Sequence, residues 1–195
     1  MATGESFVKV YTTNNYYGIK CDVVIPANPA VGGNSDYFDL FIGLGDKAEG
    51  GLSYSTAGWK KFLNTGYKAS GGNSNYWRSN VMTTQPNAGD RVSIELINNL
   101  DGTATFKVNG TTYCTLPVYG GLSSPTKVKQ VHGCEDYTGL VKHDQASFSY
   151  LKIRQSNGSY ISWDGTILTD NLIKVNAADY YVYSVVPMST RLNQG

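Results

Sequence analysis

Carboxyl and aromatic side chains carry whatever chemistry this chain can do. Glutamate occurs four times in 195 residues, at Glu5, Glu49, Glu95 and Glu135. Cleaving a bond between sugars by acid–base chemistry takes two carboxyls, about 5 Å apart for retention and further apart for inversion. Glu95 alternates with Ile94 and Leu96, so it belongs to the polar face of its strand, and Glu135 with Asp136 could supply a partner across a sandwich. No strand motif of closely spaced acids accompanies either of them. Aromatic residues offer a second kind of chemistry. Sugar rings present apolar C–H faces to flat side chains, while their hydroxyls seek Asn, Asp, Gln and Arg. Trp59, Tyr67, Tyr76, Trp77 and Arg78 flank a Gly/Ser/Asn-rich stretch over residues 66–75 and form a candidate sugar platform. Tyr17, Tyr54 and Trp163 could extend it. The competing reading is that aromatics fill strands anyway and that Trp59, in Gly58–Phe62, is half-buried.

A calcium ion could fix a loop through Asp, Asn and carbonyl oxygens. Asp46, Asp136 and Asp144 are the candidate ligands, with Asn34 and Asp36 beside them, although none sits in a run of alternating aspartates closed by glycine. Asp and Asn are also ordinary turn formers. His132 and His143 stand eleven residues apart, with no Gly-x-Ser-x-Gly elbow for a catalytic triad and no metal-ligand spacing, so a structural or loop-exposed place is expected for each. Cys21, Cys114 and Cys134 make an odd count, which rules out a fully paired set within the chain. A Cys114–Cys134 bridge and buried thiols are both open from spacing alone.

Short strands must position these groups. Over residues 90–118, Val92, Ile94 and Leu96 alternate with Arg91, Ser93 and Glu95, and Phe106 and Val108 alternate with Thr105 and Lys107. Period two marks a strand with one dry and one wet face. Asp101-Gly102 and Asn109-Gly110 supply the turn chemistry of tight hairpins. This predicts an antiparallel meander with Val92, Ile94, Leu96, Phe106 and Val108 in the core. Further strands are predicted at Ser6–Thr13, Tyr16–Ile25, Tyr37–Leu44, Gly51–Thr56, Trp59–Asn64, Val128–Tyr137, Ser147–Arg154, Tyr160–Trp163 and Tyr180–Ser189. Asn14-Asn15 is the expected turn between the first two. One short helical turn is expected within Ile167–Asp179, and irregular chain over residues 79–89. No internal repeat or linker divides the sequence, so residues 1–195 are expected to form one all-β, two-sheet antiparallel sandwich.

The composition is low in charge at 16%, with a net charge of +1 and abundant Gly (22) and Tyr (15). Basic residues are scattered, which argues against nucleic acid as a partner. Lys60-Lys61 and Lys127/Lys129 are expected to be solvated strand faces. No apolar run reaches the length of a membrane span, and no signal peptide is visible. The polar, Asn/Ser/Thr/Gly/Tyr-rich surface points to an extracellular domain. Asn109-Gly-Thr111 and Asn157-Gly-Ser159 match glycosylation acceptors but fit hairpin turns better.

Three stretches, Phe38–Gly45, Trp59–Phe62 and the double hairpin ending at Val108–Tyr113, resemble the concanavalin-like jelly roll. Legume lectins, laminin-G-like domains, many carbohydrate-binding modules and some glycoside hydrolases share that scaffold. The likeness covers about residues 16–155. Val24–Asn64 also looks like the secreted YrpD-like proteins of Bacillus-type bacteria. The resemblance implies a secreted, non-catalytic domain that binds a glycan or cell-wall polysaccharide, with a structural Ca²⁺ as an optional companion. The alternatives are a jelly-roll glycoside hydrolase or lyase and an adhesion domain.

Overall fold

In a computed structural model, residues 4–66 and 74–192 are described. Tyr67 lies outside them, so its place in the expected platform is not addressed. Among the described residues fifteen strands follow one another: β1 (Gly4–Tyr11), β2 (Gly18–Val24), β3 (Tyr37–Leu44), β4 (Ala48–Ser55), β5 (Gly58–Asn64), β6 (Trp77–Val81), β7 (Arg91–Asn98), β8 (Thr103–Val108), β9 (Thr111–Pro117), β10 (Val128–Asp136), β11 (His143–Arg154), β12 (Tyr160–Ser162), β13 (Ile173–Val175), β14 (Tyr180–Ser184) and β15 (Ser189–Leu192). One 3₁₀ turn, Ser74–Tyr76, is the sole helical element among the described residues, and none of those residues forms a helix long and apolar enough to cross a membrane.

The strands make two antiparallel sheets. One has the order β13-β1-β10-β3-β4-β5-β6, and the other β14-β15-β11-β2-β7-β8-β9, with β12 also pairing with β11. The two sheets pack face to face, as a concanavalin-like sandwich requires. Period-two alternation explains the packing. Phe38, Leu40, Ile42 and Leu44 of β3 face Ile19, Cys21 and Val23 of β2 and Val92, Ile94 and Leu96 of β7 within one continuous core. Val92, Ile94, Leu96, Phe106 and Val108 are all buried, so the register expected for the meander holds. Asn109 (φ 50°) and Gly110 (φ 77°) take up the left-handed conformations that close β8 onto β9. At the centre, Phe106 leans across to β4. A Cβ on Gly50 would lie 2.6 Å from its ring, so only glycine lets the sheets approach there.

Several expectations change. The Asn14-Asn15 segment is not a hairpin turn. β1 pairs with β10, and β2 pairs with β7 and β11, so residues 12–17 carry the chain from one sheet to the other. The last strand is a hairpin of β14 and β15, with Pro187, which has no N–H to give a ladder, in the turn between them. The expected helical turn within Ile167–Asp179 is replaced by edge strand β13, and the chain after Trp77 continues as edge strand β6 to Val81. The three cysteines are free thiols. Cys114 and Cys134 stand on different sheets, and burial raises the pKa of each.

Both histidines are buried in the core rather than exposed on loops. His132 Nδ1 meets Thr190 Oγ1 at 2.6 Å and His143 Nδ1 meets the Asp144 carbonyl at 2.6 Å. Each Nε2 is sealed without a partner. Burial depresses both pKa values, that of His143 to about 4, and His143 depresses His132 further. The neutral rings are therefore part of the folded state. An unfolded chain binds protons at these sites first as pH falls below about 6.5, so stability declines from there down to about pH 4.

Two outcomes follow. Leu96→Ala should cost about 2–5 kcal/mol in urea unfolding, the range for a buried leucine. In His143→Gln, the fall in melting temperature between about pH 6.5 and pH 4 should be shallower than in the wild type. An equal slope in both would show that His143 is not a source of acid lability.

Candidate binding groove on the outer face of the seven-stranded sheet

The outer face of the seven-stranded sheet can be written out from its register. Across β6, β5, β4, β3, β10 and β1, one row runs Trp77, Asn64, Glu49, Gly43, Lys129, Tyr11. The next runs Ser79, Phe62, Gly51, Phe41, Val131, Lys9, and the third runs Val81, Lys60, Ser53, Asp39, Gly133, Phe7. A fourth row brings Tyr37, Glu135 and Glu5 side by side. Residues from all four rows, among them Trp77, Glu49, Phe41, Asp39 and Glu135, line a groove of about 310 Å³.

Gly43 shapes the first row. Lys129 folds over it, and a Cβ there would stand 2.5 Å from Lys129 Cε. The lysine thereby reaches Glu49 Oε1 at 2.6 Å and Asp46 Oδ1 at 3.0 Å. Tyr11 donates its hydroxyl to the same Asp46 oxygen at 2.6 Å. Lys129 is 3% exposed, so it is not the solvated face residue that the sequence suggested. Burial opposes its charge, but Glu49, Tyr11 and Asp46 outweigh that and raise its pKa. Lys129 belongs to the groove as a fixed, neutralised cation.

The second row carries an aromatic ladder. Phe41 meets Phe62 edge-on at 5.9 Å between ring centres, and Phe62 stacks on Trp77 at 5.7 Å and 21°. Trp77 stays 48% exposed at the sheet edge.

The third and fourth rows are acidic. Asp39 lines the groove, and its Oδ1 is sealed without a hydrogen-bond partner. Burial pushes its pKa up to about 7, and Glu49 and Glu135 add to the shift against the Ser53 hydroxyl and Lys60. Asp39 therefore holds its proton well above the usual carboxylate range. Glu135 stands directly opposite Glu5 and accepts a 2.7 Å hydrogen bond from Tyr137.

The structure divides the residues expected at a site. Of the described residues of the sugar platform, Trp77 alone lines the groove. Tyr76 packs edge-on against Tyr119, 5.7 Å away. Arg78 is exposed on β6, one residue out of phase with Trp77, and its charge acts on Tyr113 and Cys114. Trp59 is a correction. It is 3% exposed and packs edge-on to Phe38, so it has no face to offer a ligand. The alternation was the missed signal, because Trp59 shares the inner face with Leu63 while Lys60 and Phe62 point outward.

The carboxyl pair proposed from Glu95 and Glu135 does not form. Glu95 lies on the other sheet, tied to Lys107 at 3.4 Å and to the Tyr160 hydroxyl. The expected Ca²⁺ ligands are likewise apart. Asp46 holds Lys129, Asp136 accepts from the Gly139 and Leu140 N–H groups, and Asp144 accepts from Asn28. Among the described residues no three His, Cys, Asp or Glu side chains stand together as a metal site.

Glu49 and Lys129 should behave as a coupled pair. Lys129→Met alone leaves a buried carboxylate unpaired and should cost about 3–5 kcal/mol, whereas Lys129→Met with Glu49→Leu should recover most of that. Chemical denaturation of the two single variants and the double variant measures the coupling, and additive losses would mean the pair contributes nothing specific.

No family model matches the chain, and no curated protein sequence matches it. Solved structures do. Scytalido-glutamic peptidase, crystallised with a peptide-based transition state analog, superposes with a TM-score of 0.61 at 12% identity over 98% of both chains. SCP-B, a member of the eqolisin family of peptidases, in complex with the tripeptide Ala-Ile-His, gives 0.59 at 10% identity over 98% of both. A family 16 glycoside hydrolase of Bacteroides ovatus gives 0.41 at 9% identity, over 71% of this chain and 72% of its own. At these identities the two peptidase structures establish a shared sandwich along the whole chain and nothing about activity.

Proposed function

We propose that the protein is a secreted, non-catalytic domain that binds a glycan or cell-wall polysaccharide along the groove of the seven-stranded sheet. The observation that carries this reading is the Phe41–Phe62–Trp77 ladder, which ends in a half-exposed indole beside Asn64 and Glu49. A flat apolar face next to amide and carboxylate groups suits a sugar, whose rings stack and whose hydroxyls bridge polar neighbours. The ionic states favour binding over bond cleavage. Glu49 is committed to Lys129, and Glu135 is engaged by Tyr137. The likeness of Val24–Asn64 to YrpD-like proteins fits an extracellular location.

One observation favours a second reading, acid–base hydrolysis. Asp39, with a pKa pushed up to about 7 by burial, has the protonation state of a general acid. Two solved structures that share the fold along the whole chain are peptidases.

Screening on a glycan array, followed by hydrolysis assays on the bound polysaccharides and on peptides, separates the two. Trp77→Ala should weaken glycan binding about tenfold or more, since a stacked ring returns about 25 cal/mol per Å² of covered apolar area. Glu95→Gln, on the opposite sheet, should leave binding unchanged. Turnover that Asp39→Asn abolishes would replace the binding reading with the hydrolytic one. The absence of any bound glycan would remove the binding reading.

A further inference from the structure

The polar groups buried between the two sheets gather at one place. Gln130, His132 and Cys134 are successive inward-facing residues of β10, and all three are buried. Each meets the β14–β15 hairpin of the opposite sheet. Gln130 holds the hairpin's turn twice, its Oε1 accepting from the Met188 N–H at 2.8 Å and its Nε2 donating to the Val185 carbonyl at 3.2 Å. His132 Nδ1 meets Thr190 Oγ1 of β15 at 2.6 Å. The Cys134 thiol lies 3.0 Å from Ser6 Oγ and next to the Tyr180 hydroxyl of β14. Among the described residues β14 pairs with β15 alone, so the hairpin forms the edge of its sheet. Tyr180, Met188 and Leu192 are its apolar anchors.

His143 stands beside this clamp, opposite Leu192 of β15. Its Nδ1 meets a carbonyl oxygen, which can only accept, so Nδ1 carries the ring proton and Nε2 bears the lone pair. A second proton would arrive at Nε2, which is sealed with no acceptor. A charged His132 would have two N–H groups and one acceptor, Thr190 Oγ1. The surroundings do not compensate either charge. His132 stands between Val8 of β1 and Leu40 of β3 and lies against the Phe148 ring of β11. Phe38 of β3 lies against the His143 ring. Asp144 favours a charged His143, but burial outweighs it. Among the described residues His143 alone acts electrostatically on His132, and it repels. The other titratable groups nearby are Cys134 and Tyr180, with Asp39 and Asp136 acting on Cys134.

We propose that the β14–β15 hairpin is an acid-operated flap, which detaches from β10 when His132 and His143 take up protons while the rest of the sandwich stays folded. Release lets water reach both imidazolium rings and removes the cost of their unpaired N–H groups. The hairpin is the element that yields because it sits at a sheet edge and because its contacts across the core include the hydrogen bonds of Gln130 and His132. By contrast β3, β7 and β8 meet across the core through apolar side chains such as Leu40, Ile94 and Phe106. Detachment uncovers the inner face of β10, and with it Cys134, while Cys21 stays covered at the centre of the sheet, where β2 lies between β7 and β11. The flap is independent of what the groove on the outer face binds.

Hydrogen exchange of the full chain, read by mass spectrometry at about pH 7 and about pH 4.5 and corrected for the intrinsic effect of pH, tests this across the range in which a free histidine becomes charged. Protection of β14 and β15 should fall about tenfold or more relative to that of β3, β7 and β8. In Cys114→Ser, which leaves Cys21 and Cys134, dithiodipyridine should modify Cys134 in acid and spare Cys21. His132→Gln with His143→Gln, which keeps a neutral hydrogen-bonding side chain at both places, should remove the difference between the two pH values. Thr190→Val cuts the clamp without touching a titratable group, and it should raise exchange of the hairpin already at neutral pH. Loss of protection in all strands together at the acid pH would mean global unfolding and overturn the flap, and so would a hairpin that stays protected there. An undiminished acid response in the double glutamine variant would overturn the role of the histidines. Should that variant not fold, Thr190→Val decides the matter, since wild-type protection of its hairpin would show that the clamp does not hold it.

Discussion

The Lys129 ammonium is held where a sheet's outer face would ordinarily meet water. Its charge is affordable because Glu49 and Asp46 close on it at 2.6 and 3.0 Å, and because Gly43 leaves the space its stem crosses. Three strands and one turn are joined by this contact, with β10 supplying the lysine, β4 the glutamate, β3 the glycine and the β3–β4 turn the aspartate. Removing Lys129 leaves the Glu49 carboxylate without its partner, and a side chain in place of Gly43 clashes with the lysine stem. The floor of the groove therefore has one arrangement, and the aromatic ladder and the acidic rows are positioned on either side of it.

That arrangement depends on a sheet that carries apolar side chains on both faces. The inner face packs on the second sheet through Phe38, Leu40 and Ile42, while the outer face of the same strand carries Tyr37, Asp39 and Phe41. The apolar residues on both sides of Tyr37–Leu44 indicate a central strand, and β3 does lie between β10 and β4. What the alternation could not state is that the second face is a groove rather than a further layer. Asp39 shows the difference physically. Buried, and flanked by Glu49 and Glu135, it retains its proton to about pH 7, whereas a carboxyl on an ordinary wet face would have shed it near pH 4.

Local signals were strongest where one hairpin accounts for a whole element. Asn109-Gly110 forces β8 and β9 together, and the burial of Ile94, Leu96 and Phe106 follows from period two. Asn14-Asn15 carries similar turn chemistry and yet leads between sheets. A turn signal says that the chain changes direction, and it does not name the strand that will be met next. The site suffered from the same limit. Trp77 was legible as an exposed ring beside a polar loop, but Glu49, Lys129, Asp39 and Phe62 come from four strands that the sequence separates by up to 90 positions. Their convergence is a property of the β10-β3-β4-β5 order, which no window of the sequence contains. Lys129 looked like a solvated cation because nothing near it in sequence is its partner.

The distribution of charge across the groove has a consequence for how it can discriminate. At the Glu49 row the positive and negative groups are already paired, so a ligand passing over it gains little from carrying charge of either sign. At the Glu135 row the acids face each other without a cation, and a ligand's charge is felt there in full. The groove's exposed apolar face and its unpaired acids thus lie at different places, the former at Trp77 and the latter at the Glu5–Glu135 row.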